Sequence, residues 1–252
     1  MSQLPAIVPP ELEAEISALA QAYLRANGPL MAVVNRIGGG VEAQMARLPQ
    51  ALRQQIEATV IVALTAAHGL AGRAEEGPAI APGAATWAAI ATGAAGGAGG
   101  LMGSIVELPV TITVFLHAIR AEAIRAGFDP DEAGVRAACL EVFAAGTPLQ
   151  EDDGINSGFV SARLTLTGPA LQKLIARVAP SLAARLGQKL AAQSVPILGA
   201  LSGAAVNAAF LRYYREMARI RCALMRLAEH SGGEAVVVAF ARAVRAPQVT
   251  KA

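Results

Sequence analysis

Apolar residues recur at helical spacing along nearly the whole chain. Leu12, Ile16, Leu19, Tyr23 and Leu24 mark one face of a first helix, the i, i+3/i+4, i+7 pattern of an amphipathic element. Glu11, Glu13 and Glu15 suit its positive N-terminus, and Asn27-Gly28-Pro29 stops it. A short helix follows to Ile37, closed by Gly38-Gly39-Gly40, and Pro49 then opens a helix to about Ala67, because proline is tolerated in a first turn. Gly69 to Pro82 reads as a loop. A further helix starts near Glu107-Leu108-Pro109, runs to Ala126 and is ended by Gly127. Asp129-Pro130-Asp131-Glu132 is a start signal: Asp129 is placed to cap, Pro130 fits the first turn and Glu132 completes a capping box. That helix carries Val135, Cys139, Leu140, Val142 and Phe143 and ends at Gly146. After a polar loop from Thr147 to Ser157, helices are predicted over Pro169–Ala179, Pro180–Gln193, Val195 to about His230, and Glu234–Arg245. Phe159 to Thr167 alternates weakly and reads as a helix or an extended connector. The fold class these patterns predict is all-α.

One segment departs from the amphipathic rule. From Gly77 to Val106 there are 30 residues with no charge, and within them Gly93/Gly97, Gly96/Gly100 and Gly99/Gly103 are small-xxx-small spacings. Such spacing lets helices approach backbone to backbone, and it recurs at Gly199 and Gly203. Glycine costs roughly 1 kcal/mol in a helix relative to alanine, so close packing must offset it. The expectation is a single multi-helix globular domain with a buried Gly/Ala-rich central helical hairpin. The hairpin is long enough to span a bilayer but too poor in Leu, Ile and Phe to face lipid. The organisation expected is an N-terminal helical segment over 1–74, packed on a main helical domain over 75–245, with a tail over 246–252.

Composition adds three constraints. Hydrophobic residues make up 54% of the chain and aromatic residues only 4%, so the core must be mostly aliphatic. Cys139 and Cys222 make no disulfide framework and have no metal-ligand spacing, so they read as buried small hydrophobes. The N-terminus lacks a basic region followed by an apolar one, which with reduced cysteines points to the cytoplasm. The net charge of +2 hides an asymmetry. Residues 1–158 hold 8 Lys/Arg against 16 Asp/Glu, whereas 159–252 hold 13 against 3. Either the two halves pack and cancel, or a basic surface on the second half faces an anionic partner.

Two sets of residues carry candidate chemistry. Glu107 is the only charge from Gly77 to Leu116. Buried there, it must be paired, hydrogen-bonded or protonated. Asn207 and Arg212 are the best partners, and Glu141 is a second carboxylate among apolar neighbours. Glu107, Glu141, Asn207 and Arg212 are therefore the candidate buried polar cluster, either structural or ligand-binding. Arg212, Arg215, Arg219 and Arg226 fall within about 60° on a helical wheel and form a candidate basic face. It is solvated, paired with the acidic half, or turned to anionic lipid or a protein partner. Nucleic acid is not expected, since little aromatic surface accompanies the arginines. His68, His117 and His230 lie on three predicted helices and belong to no HExxH-type motif. No GxSxG, P-loop or Rossmann pattern occurs, so no cofactor or metal site is expected and no reaction is named.

Several of these segments resemble the EcsC protein family. Glu107-Leu108-Pro109-Val110-Thr111, Gly127-Phe128-Asp129 and Cys139-Leu140-Glu141-Val142-Phe143-Ala144 are similar to its middle part. Val195-Pro196-Ile197-Leu198-Gly199-Ala200, Asn207, Tyr213-Tyr214 and Met217-Ala218 are similar to its C-terminal part. The resemblance covers roughly residues 75–245 and carries over no catalytic residue. It implies a bacterial helical protein of the cytoplasm or the membrane periphery, since the family takes its name from a protein encoded beside an ABC transporter. The first expectation is an accessory protein at the inner face of the membrane, meeting an anionic surface or a transporter. The alternative is a small hydrolase or ligand-binding protein with a polar pocket around Glu107, Glu141, Asn207 and Arg212.

Overall fold

The structure, a computed structural model, describes residues 9–26, 49–71, 100–144, 168–193 and 199–249. Seven α-helices are present among the described residues: α1 Pro10–Ala26, α2 Gln50–Ala71, α3 Gly100–Arg125, α4 Ala133–Glu141, α5 Gly168–Gln193, α6 Gly199–Ser231 and α7 Gly233–Val249. A 3-10 turn, Val142–Ala144, extends α4. The fold is all-α.

α6 is the spine. Its 33 residues give a rod of about 50 Å at 1.5 Å per residue. It packs against α1, α3, α5, α7 and the 3-10 turn, while α2 packs on α3 and α5. Its buried face (Phe210, Tyr213, Tyr214, Met217, Ala218, Ile220 and Leu224) meets Phe115 of α3 and Phe143 of the 3-10 turn in one hydrophobic cluster. The aromatics are few but concentrated here. Tyr214 has Phe143, Tyr213, Phe115 and Phe210 at centroid distances of 5.1, 5.4, 5.5 and 6.3 Å. Tyr23 meets Phe240 edge-on at 5.8 Å and ties α1 to α7. Aromatic pairs add to burial through their quadrupoles, which compensates for an otherwise aliphatic core.

Three predicted boundaries move. Pro109 and Pro180 do not start helices but lie inside α3 and α5. Pro180 and Ala176 are both exposed, so the carbonyl that loses its donor at Pro180 faces water, which lowers the usual cost of an interior proline. At the third boundary Asp129 is not an N-cap. Its Oδ1 accepts from the Asp131 N–H at 2.8 Å in a local turn. α4 begins at Ala133 after Glu132, whose side chain makes no capping bond. Arg120 takes over the job of holding this turn, donating to the Pro130 carbonyl at 3.1 Å and to Asp131 Oδ1 at 2.7 Å.

The predicted stops at Ala26 and Gly127 match the observed helix ends. Gly127, at φ 82°, closes α3 in a Schellman motif: its N–H donates to Ile124 O at 2.9 Å and the Phe128 N–H to Ala123 O at 3.0 Å. The predicted hairpin lies outside the described residues apart from the backbone from Gly100 onward, and the Phe159–Thr167 stretch lies wholly outside them. Among the described residues, no helix is long and apolar enough to cross a membrane.

Candidate functional site

The polar residues of the interior are arranged along α6 at heptad spacing. Asn207, Tyr214 and Arg221 are seven apart and buried, so they share one face of the helix. Each end of this line receives a carboxylate from the N-terminal half. Glu107 Oε1 accepts from Asn207 Nδ2 at 3.0 Å and from Thr111 Oγ1, one turn along α3, also at 3.0 Å. The extension of α3 backwards past Pro109 is what makes this possible: Glu107 and Thr111 sit in the body of a helix as an i, i+4 pair. All three side chains are buried.

At the other end Glu141, closing α4, takes Arg221 on one oxygen and Arg177 of α5 on the other. Arg221 is only 7% exposed along its side chain. Burial lowers its pKa to about 10, against the opposing pull of Glu141, so the guanidinium keeps its charge at neutral pH. Beside it lie two free thiols. Burial, with Cys222 nearby, raises Cys139 to about 12, and burial raises Cys222 to about 11. Both are protonated and unreactive near neutrality.

Between the two ends, buried Glu122 accepts from Arg215 Nε at 3.0 Å and pairs with Arg125 on its own helix. Contacts 107/207, 115/214, 122/215 and 127/226 ascend together. α3 and α6 therefore run parallel, held at intervals from end to end.

Of the four residues expected to form one polar cluster, Glu107 and Asn207 come together, while Glu141 and Arg212 lie elsewhere. Asn207 and Arg221, the α6 partners of Glu107 and Glu141, are about 21 Å apart along the helix. Arg212 is exposed. It lies about 140° around α6 from Asn207 at 100° per residue, so it cannot face α3 when Asn207 does. The sequence reading missed Glu122, Arg177 and Arg221. Helical phase was the available signal, since Glu122 is in phase with Glu107 and Arg221 with Asn207.

The four arginines of the basic face divide. Arg215 is committed inward to Glu122. Arg219 is exposed and chelates Glu216 on its own helix at 2.9 and 2.6 Å, and this bond raises its pKa. Arg212 and Arg226 are exposed, and the Arg226 guanidinium lies over Gly127. Arg212, Arg219 and Arg226 thus form a second heptad line, turned to solvent.

The matched sequence covers these ties and both lines of α6. The family model described as EcsC protein family matches residues 81–227. The chain belongs to the EcsC family. No curated protein and no solved structure gives a significant match. The matched region contains every partner in the Glu107, Glu122 and Glu141 ties, so in this EcsC chain the family segment and the helix-locking ladder coincide. No group of His, Cys, Asp and Glu able to hold a metal occurs among the described residues.

Proposed function

We propose that this EcsC protein is a non-enzymatic accessory protein that works at the cytoplasmic face of the membrane, docking on anionic lipid through α6, with a membrane transporter as its class of partner. The observation that carries the reading is the solvent-facing line Arg212, Arg219 and Arg226. Cations near an anionic leaflet gain about 1 kcal/mol each, decaying within a Debye length. The partition of the arginines supports it. Those needed to neutralise buried carboxylates, Arg215 and Arg221, are spent inside the fold, and a separate line is left at the surface. The pocket alternative draws no comparable support, because Glu141 and Arg212 lie apart from the Glu107–Asn207 pair.

The test is sedimentation of the full chain with vesicles. Binding should require acidic lipid and fade as salt rises toward roughly 0.5 M, where the Debye length falls to about 4 Å. Arg212→Gln with Arg219→Gln should weaken it strongly and lower the melting temperature only slightly, since both side chains are exposed and the Arg219–Glu216 pair that is lost is a surface one. Arg215 is the wrong target, since it is paired with buried Glu122. Wild-type protein that ignores acidic vesicles at low salt would refute the proposal.

A further inference from the structure

A second line of side chains runs along α3, with Val110, Thr113 and Ile124 exposed and His117 and Ala121 half-buried between them. Val110, Thr113, His117, Ala121 and Ile124 lie within about 80° of one another at 100° per residue. Val110 is 51% and Ile124 58% exposed. Thr113 is also exposed, but its hydroxyl donates to the Pro109 carbonyl at 2.8 Å, so it needs no water. The residues of α3 that face α6 (Glu107, Thr111, Phe115 and Glu122) occupy a different side of the helix, adjoining this stripe.

Because the two helices run parallel and are held at 107/207, 122/215 and 127/226, the apolar stripe of α3 and the arginine line of α6 run in the same direction along one another. They are near each other at the C-terminal end of α3. There the Arg226 guanidinium rests on Gly127, three residues beyond Ile124. A basic ridge beside an apolar ridge is the surface chemistry of an element that lies in the headgroup region of a bilayer, with cations at the phosphates and apolar side chains just beneath them.

We infer that α3 and α6 together form a lipid-insertion surface, in which Val110 and Ile124 enter the interface of an anionic membrane while Arg212, Arg219 and Arg226 hold the headgroups. This rests on the reading of α6 as membrane-facing, and it adds a salt-resistant apolar component. The occupant is a lipid surface because cationic and apolar side chains on neighbouring parallel helices match the phosphates and the acyl boundary of an anionic leaflet. The acidic groups nearby set the limits of the footprint. Glu216 is held by Arg219, Glu122 is buried between Arg125 and Arg215, and Asp131 is held by Arg120. Asp129 and Glu132 are exposed beyond Gly127 and would be repelled by anionic lipid, so the contact ends there.

The experiment uses the full chain with Ile124→Cys carrying an environment-sensitive fluorophore. At neutral pH the label should go to this position alone, because Cys139 and Cys222 are buried and protonated. Vesicles of phosphatidylcholine with about 30% phosphatidylserine supply the anionic surface. The fluorophore at 124 should shift to the blue and be quenched by lipids brominated near the glycerol region. A matching label at Val238→Cys, on the 51%-exposed apolar position of α7, should stay in water. Val110→Ser with Ile124→Ser should weaken vesicle binding about tenfold, the effect of withdrawing about 1.4 kcal/mol of apolar burial, and leave the salt dependence in place.

Four outcomes overturn the inference. If the 124 label stays in water while the protein binds, or the serine variant binds like wild type, the arginines act alone and the accessory reading survives. If wild type does not bind at any salt concentration, both fall. If the 124 label shifts without vesicles as protein concentration rises, the surface joins copies of the chain instead.

Discussion

A lone carboxylate in forty residues without another charge poses its own problem, and among the described residues Glu107 meets it with an amide and a hydroxyl donor. Oε1 accepts from Asn207 and Thr111. Deleting such a group strands the Asn207 amide in the core, and a stranded buried donor costs about 1–3 kcal/mol. A glutamine keeps an acceptor oxygen and the same shape. Glu107→Ala should therefore lower the unfolding free energy by about 1–3 kcal/mol, and Glu107→Gln by clearly less, read from urea denaturation. Equal losses in the two variants would mean that the ionised carboxylate, and not its acceptor geometry, is what α3 and α6 share. This residue was legible because an isolated charge stands out in a composition profile. Its partner was only half legible. Asn207 and Arg212 are equally near in sequence, and only the rotation of α6 decides between them. That rotation is set by the apolar residues Phe210, Tyr213, Tyr214 and Met217.

At the scale of elements, the periodicity located the amphipathic helices and erred where proline was taken as punctuation. Pro109 and Pro180 are interior, and at Pro180 hydration of the exposed Ala176 carbonyl offsets the lost hydrogen bond, which no local rule can foresee. Glycine was the better signal at Gly127, the stop expected for α3. Gly127 and Gly232 end α3 and α6 with φ of 82° and 80°, where an L-residue pays for its Cβ. The two differ in surroundings: a Cβ at Gly127 would sit 2.5 Å from Arg226 Nη2, whereas nothing lies within 4 Å of one at Gly232. Gly232→Ala should therefore cost only the backbone term, about 1–2 kcal/mol. Gly127→Ala should cost nearly the same, because the atom its Cβ would meet is the free end of an exposed arginine that can swing aside. Thermal melts of the two variants measure this directly. A clearly larger loss for Gly127→Ala, returned by Arg226→Ala in the same chain, would show instead that Arg226 is fixed over the end of α3.

Across the whole molecule, the acidic first half and basic second half are partly a folding device. The arginines Arg177, Arg215 and Arg221 of the second half neutralise Glu122 and Glu141 of the first. The charge asymmetry was visible in the sequence, but which cations were internal was not, because that depends on helix phase. The Glu141 tie allows a sharp test because its two cations differ in exposure. Arg177 is largely in solvent, while Arg221 is buried. Arg221→Met leaves Glu141 still paired with Arg177. Glu141→Leu instead deprives a buried guanidinium of its carboxylate, and breaking a buried pair from that side commonly costs about 3–5 kcal/mol. Glu141→Leu should therefore be the more damaging single change, and the double variant should recover most of the loss, since a well-packed apolar pair can replace a buried ionic one. The pH dependence follows from the same burial. Arg221 is already pushed down from 12.5 to about 10 by desolvation, with Glu141 opposing the shift. Without Glu141 its folded-state value falls further. The unfolded chain then binds the extra proton over a wider range, so stability rises with pH once that folded value is passed. The deficit of Glu141→Leu relative to wild type should shrink between neutral pH and about pH 10, as the guanidinium sheds the proton it cannot pair. A deficit that stays flat or grows across that range would show that Glu141 holds α4 to α5 through Arg177, and that the buried arginine of α6 is satisfied without it.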